Sequence, residues 1–547
     1  MSVPSIERPH SFNQGRNIRT ALDMWKEGRV KLLRSIEHYR ATCNTLNAAC
    51  RAALGRPEDL GDLENALATI GSELGPLETY EDMLRKERMR LATTRNTSSA
   101  LVRINLLPPE VLARVFKLSN TCYIEDKTVR LCELASVCTR WRWITLSMPE
   151  LWTHIDIGLG IPDRLTQLFL QNSRNSAICI HVHEEHNNSY ARRINPYEGA
   201  DQYDSAVRQV VQTLMPHIRR VHTLDITDAA QEFAMAVAQV WLDFGNPGLS
   251  DTLSIRLLEE KVSVAIDDSE GDGIGFEHPD NALQVLRCIK VLHVQCVRFS
   301  WDSPAYHQLT DLRIYNDIDT VTLSASELFG ILSASPSLEV LKLEGIEVLR
   351  IRGWTKPIPI IFNRLRTLKI SRYTDGSLDI LLSMMIVACE CDVGIDTVDL
   401  GHGGVARFLS LSRTVVLSLD CSKDDSLTYV VSFLDGLPPL RTIILDYLHT
   451  TPPAQHQPEI LPTGRQTNMI LVNSTVDLQG LRYIISVLGV RSLRLECCHV
   501  VGPWSTTTLE RIRTSLVKTY PELECLITDT ESTKYLACRI MFEGDVI

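Results

Sequence analysis

INLLPPEVLARVFKLSN (104–120), ten intervening residues, then LCELASVCTRWRWITLSMPELW (131–152): these two blocks decide how the chain is read. The first opens on Leu107-Pro108-Pro109-Glu110. Proline is tolerated in a first helical turn, where its missing N–H would have no partner. Beyond it Val111, Leu112, Val115, Phe116 and Leu118 fall at i, i+1, i+4, i+5 and i+7, which predicts a short helix with a broad apolar face. In the second block Leu131, Leu134, Val137, Cys138 and Trp141 repeat the helical spacing, and Pro149 closes it. Forty-nine residues cannot bury that much apolar surface within themselves. The surplus calls for a partner.

These residues resemble an F-box. The Leu-Pro-x-Glu-Val-Leu…Val-Phe opening is matched from Leu107 to Phe116, the Leu…Val-Cys…Trp-Arg core from Leu134 to Arg142, and the closing Pro-x-Leu-Trp by Pro149 to Trp152. The segment Asn120 to Arg130 departs from the pattern, being longer and more polar than the usual turn. The resemblance implies a three-helix domain over 101–152 that docks on the Skp-type adaptor of an SCF ubiquitin ligase and, through it, on a cullin. The rest of the chain would then choose a protein substrate. On that reading Leu107, Pro108, Glu110, Val111, Leu112, Val115, Phe116, Leu134, Val137, Cys138 and Trp141 contact the adaptor. No catalytic residue is expected, because the associated ligase subunits carry the chemistry. The alternative is a non-catalytic scaffold acting outside ubiquitination and oligomerised through residues 18–91.

The whole chain has 547 residues, 44% of them hydrophobic and 22% charged, which suits a folded chain rather than a disordered one. Its net charge is −11 and no basic stripe is visible, so binding to nucleic acid through phosphate neutralisation is not expected. The N-terminal MSVPSIERPHSFNQGRNIR lacks the apolar core of a secretory signal. The most apolar window, Leu378 to Cys389, is about twelve residues, short of the ~20 that span a bilayer. Fifteen irregularly spaced cysteines, many in apolar runs, suit buried thiols in a reducing compartment better than a disulfide framework. The expectation is an intracellular protein, cytoplasmic or nuclear, without a membrane partner.

After a disordered stretch over 1–14, residues 15–95 predict a helical hairpin or coiled coil. Positions 18, 22, 25, 29, 32, 36, 39, 43, 46 and 50 form a heptad seam that only Arg29 breaks. The spacing resumes at Leu60, Leu63, Leu67, Ile70, Leu74 and Leu77 and continues to Leu84 and Leu91. Gly55 and Pro57 supply a stop and a start between the two helices. Gly75-Pro76 is expected to interrupt or restart the second, since an interior proline removes a hydrogen bond. A dimerisation seam and an intramolecular hairpin are both compatible with the pattern.

From 153 to 547 short apolar strands alternate with amphipathic helices. A Leu-x-x-Leu-x-Leu pattern recurs at Val221-Leu224-Ile226, Ile289-Leu292-Val294, Leu309-Leu312-Ile314, Leu338-Leu341-Leu343, Leu365-Leu368-Ile370, Ile395-Val398-Leu400, Leu440-Ile443-Leu445 and Val490-Leu493-Leu495. Weaker copies lie near Leu417, Ile470 and Leu526. Helices are expected between them, among others over Ser326 to Ala334, Leu378 to Cys389 and Leu478 to Leu488. One such unit cannot bury its inward side chains alone, whereas stacked neighbours share a core. A strand plus helix at this period predicts an irregular leucine-rich-repeat-like βα solenoid, so the chain as a whole is an α/β repeat behind a helical N-terminus. The turn position that usually carries Asn or Cys holds Ala229, Ile346, Tyr373 and Gly403, and only Cys498 fits. Asp267 to Asp280 reads as an exposed acidic loop.

The search for chemistry is thin. His181, His183 and His186 put two imidazoles on one strand face, but without a matched second ligand set they read as polar strand-end residues, and no metal or cofactor is expected. Cys389-Glu-Cys391 and Cys497-Cys498 lack the paired CxxC of a zinc site. Gly271-x-Gly-x-Gly275 follows an acidic run rather than a strand, so it fails the context of a phosphate-binding turn.

Overall fold

A computed structural model describes residues 14–54, 60–97, 103–119, 127–158, 163–183, 200–257, 264–265, 276–316, 321–350, 357–373, 376–396, 403–421, 427–450, 467–500 and 509–528. The expected disorder before α1 and the Gly271–Gly275 run lie outside these residues, as does most of the acidic loop; its last two residues, Pro279 and Asp280, open a helix instead. The chain forms two compact units, one of residues 1–108 with 138–140, the other of 109–137 with 141–547.

In the first unit α1 (Gln14–Ala53) and α2 (Leu60–Thr97) run antiparallel, with Tyr39 close enough to Glu73 for their charges to interact. Contrary to expectation, α2 continues through Pro76 without a break. The helix is exposed there, and nothing comes within 4 Å of a side chain built on Gly75, so water can satisfy the carbonyl whose bond the proline removes.

The second unit begins with α3 (Pro109–Ser119), α4 (Lys127–Val137) and the greater part of α5 (Thr139–Ser147), and continues into one sheet of fourteen parallel strands. In chain order these are β1 (His154–Gly158), β2 (Ile178–His183), β3 (Val221–Ala229), β4 (Thr252–Leu257), β5 (Val291–Gln295), β6 (Asp311–Tyr315) and β7 (Val340–Glu344). They are followed by β8 (Thr367–Ser371), β9 (Cys391–Asp396), β10 (Thr414–Asp420), β11 (Thr442–Asp446), β12 (Thr467–Val472), β13 (Val490–Glu496) and β14 (Glu524–Thr528). Their order across the sheet is their order in sequence. Parallel neighbours need a crossover, supplied in most connections by a helix.

The register explains the repeat. Leu341 pairs with Leu312 on one side and Leu368 on the other, and Leu343 with Ile314 and Ile370. Two buried apolar columns therefore cross the sheet, one running from Ile155 and Ile180 through Leu292 to Leu493, the other from Ile157 and Val182 through Val294 to Leu495. Stacking rather than the single unit buries them.

Four details correct the sequence reading. The copy at Ile395-Val398-Leu400 is misplaced: the strand is Cys391–Asp396, with Val393 and Ile395 buried and an exposed Glu390 at the position that leads the pattern in other strands. Near the C-terminus the pattern is one residue out, because Met469 and Leu471 face the core while Leu526 is exposed beside buried Cys525; a single step inverts a strand's faces. The helix expected over Leu378 to Cys389 ends at Ser383, and Met385–Val387 pairs as a short strand with Ile360–Phe362. Strand β4 does not carry the repeat pattern, because buried Ser250 stands where its leading leucine should be.

After many strands the chain turns on one left-handed residue: Cys296, Gly345, Arg372, Tyr447, Asn473 and Cys497 have φ between 46° and 64°. The next residue points inward and is buried, as Val297, Ile346, Leu448, Ser474 and Cys498 are. Ser474 performs the work expected of asparagine: its hydroxyl accepts from the Leu448 N–H at 3.0 Å and donates to the Val472 carbonyl at 2.7 Å. The Cys498 thiol lies 3.4 Å from the carbonyls of Leu471 and Glu496. Elsewhere the turn is filled by apolar bulk.

Candidate functional site

Helix α3 has Pro109 in its first turn and two adjacent apolar faces. One, made of Leu112, Ala113 and Phe116, is buried. The Phe116 and Trp141 rings meet at 4.8 Å with planes inclined by 51°, and Leu131 of α4 and Ile144 of α5 are fully enclosed. A single 3-10 turn, Pro149–Trp152, closes the domain. The Trp152 indole N–H donates to the Thr145 carbonyl at 2.7 Å, and its ring meets Phe169 of α6 (Asp163–Asn172) edge-on at 4.8 Å. The Arg142 guanidinium donates to the Ala135 carbonyl at 3.0 Å, tying α5 to α4.

The other face of α3 is uncovered. Val111, Val115 and Leu118, at i, i+4 and i+7, are 44%, 40% and 60% exposed. Val137 is 54% and Trp143 61% exposed in the same unit. Isolated exposed apolar residues are ordinary, whereas these three fall on one stripe of the helix.

The expected contact residues thus divide. Glu110, Val111, Val115 and Val137 are exposed, Leu134 and Trp141 half-buried, and Leu112 and Phe116 enclosed within the domain itself. In the first unit Pro108 is exposed, Leu107 and Cys138 are half-buried, and the Arg140 guanidinium donates to the Leu107 carbonyl at 2.6 Å. Leu118 and Trp143 lie outside the contact set that the F-box resemblance implies. Their signal was present: Leu118 lies seven residues beyond Val111, and residues two apart on a helix, such as Trp141 and Trp143, point to nearly opposite sides, so one of them must face out.

The histidine group is structural in its geometry. His181 on β2 is buried, its Nδ1 3.1 Å from Asp156 Oδ1 and its Nε2 2.8 Å from Thr227 Oγ1, so both ring nitrogens are engaged across three strands. Burial alone would push the Asp156 carboxyl up, but the His181 hydrogen bond and the nearby imidazoles of His154 and His183 hold it below the usual carboxylate range. His186 lies outside the described residues, and among these no group of three or more His, Cys, Asp or Glu side chains is placed to hold a metal ion. Burial pushes the Cys391 thiol far up and that of Cys498 to about 11, and no disulfide joins the described cysteines.

The polar face of the sheet carries a cleft of about 560 Å³ beside the starts of β8 to β12, lined by Arg366, Glu390, Asp392, Arg441 and Asn468 among others. Both arginines and Asp392 are exposed, so the cleft offers both signs of charge. No described helix is long and apolar enough to cross a membrane.

Residues 104–158 match the family model for F-box-like domains, a span that takes in α3 to α5, the closing turn and β1. The chain is therefore an F-box domain-containing protein. No curated protein matches it.

Proposed function

We propose that this F-box-bearing chain is the substrate-recognition subunit of an SCF-type ubiquitin ligase. The observation that supports it most is the open stripe of Val111, Val115 and Leu118 on a helix whose opposite face is already packed. A Skp-type adaptor covers that stripe and connects the chain to a cullin. Leu112 and Phe116 act from beneath, by holding α3 in place. The sheet is read as a degenerate leucine-rich-repeat solenoid, whose polar face, with its mixed-charge cleft, receives a protein substrate. The chain supplies no catalytic group. Its contribution is proximity, because a held substrate presents its lysines at high effective concentration to the charged ubiquitin thioester. The protein then works where the ligase does, in the cytoplasm or nucleus.

Co-purification with a Skp-type adaptor tests this. Val111→Lys with Val115→Lys is expected to abolish capture while thermal unfolding stays as in the parent, since both residues are already exposed and each lost apolar anchor at an interface costs about 2 kcal/mol. Capture that persists in this variant would sink the docking assignment.

A further inference from the structure

Each helix of the N-terminal hairpin carries two apolar rows, and the hairpin uses one. Leu63, Ile70 and Leu77 of α2, seven residues apart, are buried or half-buried, as are Cys43 and Cys50 of α1. The companion rows stay open: Leu32, Tyr39 and Leu46 are 42%, 49% and 43% exposed, Leu67 and Leu74 54% and 56%. Towards the free ends neither helix is covered, with Trp25 47% and Leu91 50% exposed. A face of two helices about 60 Å long and ~20 Å across offers about 1,200 Å² per copy, against the ~800 Å² per partner of a standard stable interface.

The charge along the hairpin selects what covers it. At the free ends, residues 18–34 hold Arg19, Lys26, Arg29, Lys31 and Arg34 against Asp23 and Glu27. Residues 83–97 hold Arg85, Lys86, Arg88, Arg90 and Arg95 against Glu87, so that end has a net charge of +7. At the turn, residues 61–82 hold Asp62, Glu64, Glu73, Glu78, Glu81 and Asp82 with no lysine or arginine. Residues 35–54 add Arg40, Arg51 and Glu37, for a net −5. Two hairpins laid in the same direction oppose like charges at both ends. Laid head to tail, each basic end meets an acidic one.

We infer that a second copy of this chain, antiparallel to the first, completes a four-helix bundle over the open rows of α1 and α2. Hairpin and dimer seam are then not alternatives: the enclosed row closes the hairpin and the open row joins two of them. The inference does not depend on the ligase reading.

Sedimentation equilibrium of the full-length chain under reducing conditions is the test. The expected mass is about twice 61.6 kDa. Leu32→Lys with Leu74→Lys, both on the open rows, is expected to give a monomer with unchanged helical circular dichroism. Reversing Arg19, Lys26 and Arg34 to Glu should weaken the dimer about tenfold or more, and adding Glu64→Lys, Glu73→Lys and Glu78→Lys to the same chain should restore it. A monomer at every concentration overturns the inference, as does a dimer that survives the open-row substitutions. A dimer indifferent to charge reversal overturns the antiparallel arrangement.

Discussion

The Phe116 and Trp141 rings, 4.8 Å apart, clamp α3 of the F-box-like domain to the helix that ends it. Position and exposure separate two kinds of residue that look alike in the motif. Phe116→Ala removes a ring that is 1% exposed and should cost about 3–5 kcal/mol of stability. Any loss of adaptor binding in that variant follows from unfolding, which a lowered melting temperature and a lost near-ultraviolet signal would reveal. An unchanged melting temperature would mean that the ring is not packed as described.

The turns after β7 and β11 make opposite predictions. Gly345 has φ +64°, and a Cβ there would collide with the Asn316 carbonyl oxygen, so Gly345→Ala should destabilise by about 2 kcal/mol or more. Tyr447 adopts the same conformation, at φ 55°, with a side chain that is 45% exposed. Tyr447→Gly relieves left-handed strain of ~1–2 kcal/mol and gives back part of it in chain entropy, for a net gain of about 0.5 kcal/mol. Denaturant midpoints of the two variants should move in opposite directions.

Ser474→Ala should be costly for its size. The side chain is fully enclosed and its oxygen is the acceptor of the Leu448 N–H, so removing it strands a buried donor at about 1–3 kcal/mol. Hydrogen exchange at Leu448 is the direct readout, and it should accelerate in the variant.

Asp446 carries a pH signature. Burial, opposed by the Asn473 amide but reinforced by Asp420 on the neighbouring strand, raises its carboxyl to about 6. A folded-state value above the unfolded one means that this residue's stability is fully present below the ordinary aspartate range and is lost as pH rises through about 6. Asp446→Asn keeps an oxygen for the Asn473 amide without the charge. It should raise the melting temperature at pH 7.5 by roughly 2 °C and have little effect at pH 4. A gain of equal size at both pH values would point away from ionisation.

How far the sequence could be read follows from how each feature is encoded. The F-box-like helices were legible because a helix writes its buried face at three- and four-residue steps, and Leu112 and Phe116 stand on it. Which of two adjacent faces stays open was not legible, since Val111 and Leu112 are equally apolar and only packing separates them. The central strands were legible because Leu312, Leu341 and Leu368 are literal leucines. Strand β4 was hidden by Ser250, which is buried where other strands carry a leucine, and β9 by Glu390, an exposed residue at the leading position. Proline 76 misled for the reverse reason: a local rule yields where solvent can replace the lost bond.

The strict sequence order of the strands has a consequence for how such a chain can change. Each strand touches only the one before and the one after, so a whole strand-and-helix unit can be gained or lost while the flanking registers re-form. A one-residue deletion within a strand has no such escape, because it turns a buried column such as Leu341–Leu368 out of the core. Variation in length by entire modules is therefore tolerated where variation by single residues is not, and the sheet can grow in increments without redesign of its foundation.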